Sequence, residues 1–191
     1  FDVKNYDPAS TLIIDPQVIF CSFSGSSADN WGFTATYGPD GSMYGGGIVF
    51  SGGSFPVSPG AFQTVYGGGD SGGNGPVDIG IIKLSPDGSS RMYATYIGGS
   101  GNEQPHSLIV DNQGNLILAG RSSSPNYPLR NPNSAASQIG AGGGFDIVVT
   151  KLNATGTDLI GSKKIGGSGD DGVNISITRG LNSLQRNYGD D

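Results

Sequence analysis

The sequence predicts an all-β fold assembled from a repeated four-stranded unit, on three observations. Glycine and proline supply 35 and 11 of the 191 residues, roughly twice their usual share of about 12%. The apolar runs are short, separated by Asp/Asn-Gly turns, and none carries a helical stripe. The chain also repeats itself. Ser22-Phe23-Ser24-Gly25-Ser26-Ser27-Ala28-Asp29-Asn30 is followed by Thr95-Tyr96-Ile97-Gly98-Gly99-Ser100-Gly101-Asn102-Glu103. Lys163-Lys164-Ile165-Gly166-Gly167-Ser168-Gly169-Asp170-Asp171 comes third.

The first glycines of these stretches are Gly25, Gly98 and Gly166, which define two steps along the chain. The step from Gly25 to Gly98 also relates Tyr37-Gly38-Pro39-Asp40-Gly41 to Val110-Asp111-Asn112-Gln113-Gly114. The slightly shorter step from Gly98 to Gly166 relates Asp78-Ile79-Gly80-Ile81-Ile82-Lys83-Leu84 to Asp146-Ile147-Val148-Val149-Thr150-Lys151-Leu152. The difference falls in one glycine-rich loop, long at 66–77 and short at 139–144. Loop length costs little free energy, so one unit accommodates both.

Taken in order, residues 1–17 read as the tail of a preceding β domain or a linker. Residues 18–23 read as a strand, because they align with the fourth strands of the later units. The first unit places strands at about 33–37, 43–48, 78–84 and 91–97. The second places them at 107–111, 116–120, 145–152 and 158–165. Each hairpin turns on Asp or Asn followed by Gly, where glycine takes a positive φ without steric cost. Residues 173–178 read as the first strand of a third unit.

A unit of about 70 residues holding one four-stranded sheet is a propeller blade with a long inter-hairpin loop. A β-sandwich leaves the internal repeat unexplained, and a parallel β-helix repeats over shorter spans. The expected fold is therefore an all-β β-propeller with about two complete four-stranded antiparallel blades and partial blades at each end, a fragment of a larger propeller. Residues 18–191 form the propeller segment: 18–32 an outer closing strand and loop, 33–97 a blade, 98–165 a blade, and 166–191 the start of a third. In a longer chain, residues 18–23 would pair with the last blade and close the ring.

Charge and composition exclude several classes. A net charge of −6 disfavours nucleic acid. No apolar run is long enough to predict a membrane span, and glycine has no three-residue period. Cys21 is the only cysteine, so no intrachain disulfide forms. It sits in an apolar run and reads as a buried, inert thiol.

The repeat resembles a known family, the bacterial SBBP-type β-propeller repeat. The residues that carry the resemblance are Ala94-Thr95-Tyr96-Ile97-Gly98-Gly99-Ser100-Gly101-Asn102 and Ile109-Val110-Asp111-Asn112-Gln113-Gly114-Asn115-Leu116-Ile117-Leu118-Ala119-Gly120. Phe55-Pro56-Val57-Ser58-Pro59-Gly60-Ala61-Phe62-Gln63-Thr64 and Asp146-Ile147-Val148-Val149-Thr150-Lys151-Leu152 complete it. The second unit departs from the pattern at Asn131-Pro132-Asn133-Ser134-Ala135-Ala136, where Pro-Gly-Ala-Phe-Gln-Thr is lost. The resemblance implies a secreted or cell-surface bacterial protein, in some bacteria linked to type IX secretion or gliding. It implies no shared catalytic residues.

Candidate chemistry is sparse. His106 is the only histidine, with no nucleophile beside it in sequence. The loops Asp29-Asn30, Asn102-Glu103 and Asp170-Asp171 occupy one place in three units. Asp29, Asp170 and Asp171 are the candidate calcium ligands there, and capping of turns is the alternative. Trp31, Phe55, Phe62, Tyr66 and Tyr127 are candidates for a sugar-stacking surface or for packing between blades. Residues 67–75 read as a flexible glycine-rich loop, since they join no strand to a helix.

The expected function is a non-catalytic scaffold or interaction module of an exported surface protein, adhesive or part of a surface assembly. It needs no cofactor, with calcium an open alternative. Its partners would be the rest of its own longer chain, other surface proteins or polysaccharide, with no nucleic acid and no membrane span. The alternatives are a propeller hydrolase or lyase acting on polysaccharide, and a calcium-stabilised structural module.

Overall fold

A computed structural model describes residues 7, 9, 11, 18, 20–69, 76–131 and 136–171. Among them there is no helix, and so none long and apolar enough to cross a membrane. The first sheet is a four-stranded antiparallel meander of β1 (Asn30–Tyr37), β2 (Met43–Phe50), β3 (Val77–Leu84) and β4 (Arg91–Ile97). The second contains β5 (Glu103–Val110), β6 (Leu116–Ser122), β7 (Gln138–Ile139), β8 (Asp146–Leu152) and β9 (Leu159–Ile165). Its order is β5-β6-β8-β9-β7, with the two-residue β7 parallel to β9 at the edge.

The repeat extends to the irregularities of the ladders. Register slips between Gly32 and Thr34 in β1, and at the equivalent place between Pro105 and Ser107 in β5. It slips again between Lys83 and Leu84, and at their equivalents Lys151 and Leu152. The first bulge brings a carbonyl against the facing strand. A β-carbon on Gly47 would strike the Trp31 carbonyl oxygen, and one on Gly120 the Gln104 carbonyl oxygen. Glycine recurs there because no side chain fits. The residues left out of register are Phe33 in β1 and His106 in β5, and Pro105 is tolerated because β5 is an edge strand of its sheet. This is why β1 and β5 begin before the stretches expected at 33–37 and 107–111.

The sheets pack face to face around one apolar cluster. Tyr44, Ile79, Ile81, Tyr93 and Ile97 of the first sheet meet Leu108, Leu116, Leu118, Val148, Leu152 and Leu159 of the second. Each fully buried side chain of this size contributes about 1.5–3 kcal/mol. The Tyr44 hydroxyl donates to the Gly114 carbonyl at 3.2 Å, and the Phe62 amide donates to the Gly156 carbonyl at 2.8 Å. The first strands lie closest: β5 runs against β1, β2 and β3.

The two sheets present opposite faces to this contact. In the repeat alignment, Tyr44, Ile79, Ile81 and Ile97 correspond to Ile117, Ile147, Val149 and Ile165, which point away from the contact. Ile81 and Ile97 are 0% exposed, whereas Val149 and Ile165 are 38% and 37% exposed. Conversely, fully buried Leu116 corresponds to Met43, which is 40% exposed. The stacking is head to tail, as in a heterologous interface.

The edge of β4 is covered by the loop after β2. Ser58 and Ala94 exchange hydrogen bonds of 2.9 and 3.0 Å, and the Tyr96 amide donates to the Gln63 carbonyl at 3.0 Å. Phe55 packs on Tyr96 on one face of the sheet, with ring centroids 5.3 Å apart. Phe62 reaches the cluster on the other. The Phe-Pro-x-x-Pro-Gly-Ala-Phe-Gln-Thr segment is thus a strap over a sheet edge, one way of blunting an unpaired strand. In the second unit, Arg130 bridged to Ser162, and β7 on β9, cover the same edge.

Of the strand expected at 18–23, residues 18 and 20–23 carry no strand assignment, and among the described residues β3 pairs with β2 and β4 alone. Cys21 is exposed rather than buried, because no partner strand encloses it. The segment nevertheless lies where the alignment puts it. A β-carbon on Gly88 would strike the Phe20 ring, and one on its equivalent Gly156 would strike the Tyr93 ring. Phe20 and Tyr93 are themselves equivalent, related by the step from Gly25 to Gly98. The chain before β1 therefore lies against the first sheet as β4 lies against the second. The expected strand at 173–178 and most of 1–17 lie outside the described residues.

Candidate functional site

The densest buried chemistry sits where one unit passes to the next. Asp78, the second residue of β3, and Glu103, the first of β5, are both 0% exposed. A β-carbon on Gly98 would lie 2.5 Å from Asp78 Oδ1 and 2.7 Å from Glu103 Oε2, so the two carboxyl groups converge over that glycine. Glu103 is well supplied with donors. Ser122 and Ser124 hydroxyls donate to Oε1 at 2.6 and 2.5 Å, and the Gly99 amide donates to Oε2 at 3.0 Å. Among the described residues Asp78 has one donor, the Gly67 amide at 2.7 Å to Oδ2, and its Oδ1 has no partner. Burial pushes the Asp78 carboxyl up to about 7; the Gly67 amide opposes the rise and the Glu103 carboxylate adds to it. The nearby Tyr66 hydroxyl, also without a partner, is raised first by burial and then by Asp78 and Glu103.

The second unit repeats this joint with different chemistry. Asp146 corresponds to Asp78 and is 0% exposed. Lys164, which corresponds to Tyr96, places its ammonium 2.9 Å from Asp146 Oδ2 and donates to the Ser124 carbonyl at 3.0 Å. Asp171 corresponds to Glu103 and accepts from the Gly167 amide, as Glu103 accepts from Gly99.

The acidic loops act as caps. The side-chain oxygen of Asn102 accepts the Val77 amide at 3.1 Å, and that of its equivalent Asp170 accepts the Phe145 amide at 2.8 Å. Each ties the start of a unit's third strand to the loop that opens the next unit. Asp29 is exposed, and its carbonyl accepts the Phe50 amide. No group of three or more His, Cys, Asp or Glu suited to a metal ion occurs among the described residues.

His106 lies at the β5 bulge and is half-buried, with Nε2 enclosed and without a partner among the described residues. Burial, and next the Arg121 charge, hold its pKa below the usual histidine range. Arg121 donates twice to Gln104 Oε1, at 3.1 and 2.7 Å, and stacks over the Phe145 ring at 4.3 Å. No serine, threonine or cysteine is hydrogen-bonded to His106 among the described residues, so no nucleophile–base pair is assembled there.

The aromatic candidates separate. Phe55, Tyr66 and Tyr96 pack on one another, and Tyr127 is buried between the sheets with its hydroxyl 2.8 Å from Thr150 Oγ1. Trp31 remains exposed, edge-on to Phe50 at 5.1 Å. A cavity of about 390 Å³ lies between residues 22–25 and the outer face of the first sheet, lined by Phe23, Met43, Ile82, Leu84 and Arg91. Residues 70–75 of the glycine-rich loop lie outside the described residues.

Sequence reasoning missed the Asp78 and Asp146 joints. Their signal was present: an aspartate stands at the same place in two otherwise apolar strands of the repeat. No protein-family model and no curated protein matches the chain. The resemblance to SBBP-type repeats rests on the motifs quoted for it.

Proposed function

We propose that the two sheets are consecutive blades of a β-propeller, and that the chain serves as a non-catalytic scaffold or interaction module of an exported bacterial surface protein. One observation carries the propeller reading. Each sheet uses a different face for the same contact, so every unit has one face for the unit before it and another for the unit after. Such a contact generates a ring or an open stack. The half-exposed Ile147, Val149 and Ile165 then await the Leu116-type face of a further unit. Phe20 on Gly88 supports the same phasing, because Phe20 and residues 22–25 stand where a preceding unit's outermost strand would stand. In the closed ring, 18–23 pairs with the last blade's third strand.

The scaffold reading is supported by the use of buried polar groups for joints and caps, and by the isolation of His106. The surface location rests on the resemblance, and surface proteins or polysaccharide are the partners it suggests. The test is a screen of the full-length protein against polysaccharides and peptides, read for both binding and turnover. Binding without turnover is expected. Turnover abolished by His106→Ala in a variant that still folds would overturn the scaffold reading.

A further inference from the structure

We propose that Asp78 and Glu103 share a single proton, making the joint between the two sheets a pH-sensitive latch. Among the described residues, Asp78 Oδ1 is fully buried and has no donor. The group it faces is Glu103, whose oxygens already accept three hydrogen bonds. Two ionised carboxylates enclosed together repel each other, and like-charged pairs of this kind retain one proton. A proton on Asp78 Oδ1 turns that oxygen into a donor toward Glu103 Oε2. The orphaned acceptor is then satisfied and half the buried charge removed.

The second unit shows what a charge-neutralised version of the same place looks like. There a lysine, Lys164, sits 2.9 Å from the equivalent aspartate. The first unit has Tyr96 at that position, and its hydroxyl accepts from the Phe55 amide at 3.2 Å instead of serving Asp78. The groups that act on Asp78 are the Gly67 amide from the loop before β3 and Glu103 from β5. Tyr66, from that same loop, faces both carboxyl groups as a neutral hydroxyl. No cationic side chain acts on Asp78 among the described residues.

The direction of the pH dependence follows. The raised Asp78 value means that the folded chain holds this proton up to about pH 7, whereas an unfolded aspartate releases it near pH 4. The folded state therefore binds the extra proton between those values. The contribution of the pair is complete below about pH 4 and is lost as pH rises through about 7. Above that, two buried negative charges push the strands β3 and β5 apart.

The test compares the protein with Asp78→Asn and Glu103→Gln by thermal unfolding from pH 4.5 to 8.5, and by carbon-13 NMR of labelled carboxyl groups. An asparagine keeps the acceptor for Gly67 and supplies a permanent donor to Glu103. Asp78→Asn is expected to flatten the loss of stability between pH 5 and 8, and to melt no lower than the parent at pH 8. One carboxyl resonance titrating near pH 7 should vanish with it. In Glu103→Gln that midpoint should fall by a pH unit or more. If Asp78→Asn fails to fold, the titration of the parent and of Glu103→Gln decides alone. A parent with no carboxyl titrating above pH 6, or an Asp78→Asn protein as pH-dependent as the parent, overturns the proposal. So does calcium that raises the parent's melting temperature at pH 7.5 but not that of Asp78→Asn, since a metal ion would then hold the pair.

Discussion

The two sheets have the same ladders and opposite surroundings. Both bulge at the same two places, both need a glycine opposite the first bulge, and both turn on glycines with positive φ at equivalent positions, Gly41 with Gly114 and Gly88 with Gly156. Yet the face that is sealed in the first sheet is half-open in the second. What differs is the neighbour, not the strand. Backbone geometry is a property of each unit's sequence, whereas burial of its two faces is a property of the stack. This is the behaviour of repeat architectures, where each unit contributes an intrinsic stability and a nearest-neighbour interface.

The largest expected effect breaks the joint that the second unit has and the first lacks. Lys164→Met leaves Asp146 buried without its ammonium. Removing one partner of a buried pair costs about 3–5 kcal/mol, and urea unfolding at pH 7 should read a loss of that order. The next compares equivalent apolar positions. Ile81→Ala should cost about 2–4 kcal/mol. In the same 191-residue chain on its own, Val149→Ala should cost less than about 1 kcal/mol, because its side chain is there only partly removed from water. Equal losses would show that the two faces are not in different surroundings.

A third prediction concerns what the units share. Gly47→Ala and Gly120→Ala should each cost about 1–3 kcal/mol, since a β-carbon strikes a backbone oxygen in both. The two losses should agree within roughly 0.5 kcal/mol, which is the scatter expected of independent sites. The smallest effect belongs to the exposed pair of Arg130 and Asp158, 2.5 Å apart. Asp158→Asn should change stability by less than about 1 kcal/mol, and less still at high salt.

The repeat made the strands legible. Apolar runs bounded by Asp/Asn-Gly turns placed all eight meander strands, because hairpin turns need residues that tolerate positive φ and few types do. The early starts of β1 and β5 were hidden by the bulges, which leave Phe33 and His106 out of register and break the strand alternation there. The two-residue β7 was hidden because an edge strap is held by backbone hydrogen bonds and leaves no periodicity. Residues 18–23 read as a strand from pattern alone. A strand also needs a partner, and none pairs with them among the described residues, so Cys21 is exposed. The candidate ligands Asp29, Asp170 and Asp171 were found by alignment, but the role of Asp170 as a cap depends on the Phe145 amide, far away in sequence. The repeated aspartate at Asp78 and Asp146 stood in the sequence, but the conflict between the Asp78 and Glu103 carboxyl groups exists only once two sheets are stacked.

The head-to-tail stacking of equivalent faces is tested most directly by the reactivity of a thiol at Val149. In the full-length protein, with Cys21 replaced by serine, Val149→Cys and Ser89→Cys are labelled with a maleimide at pH 7. Ser89 lies on an exposed turn and serves as the reference. If a further unit covers this face as the second sheet covers Ile81, Val149→Cys should react at least a hundredfold more slowly than Ser89→Cys. Labelling of both at the same rate would mean that the face stays bare, and would contradict the stacking of further units on it.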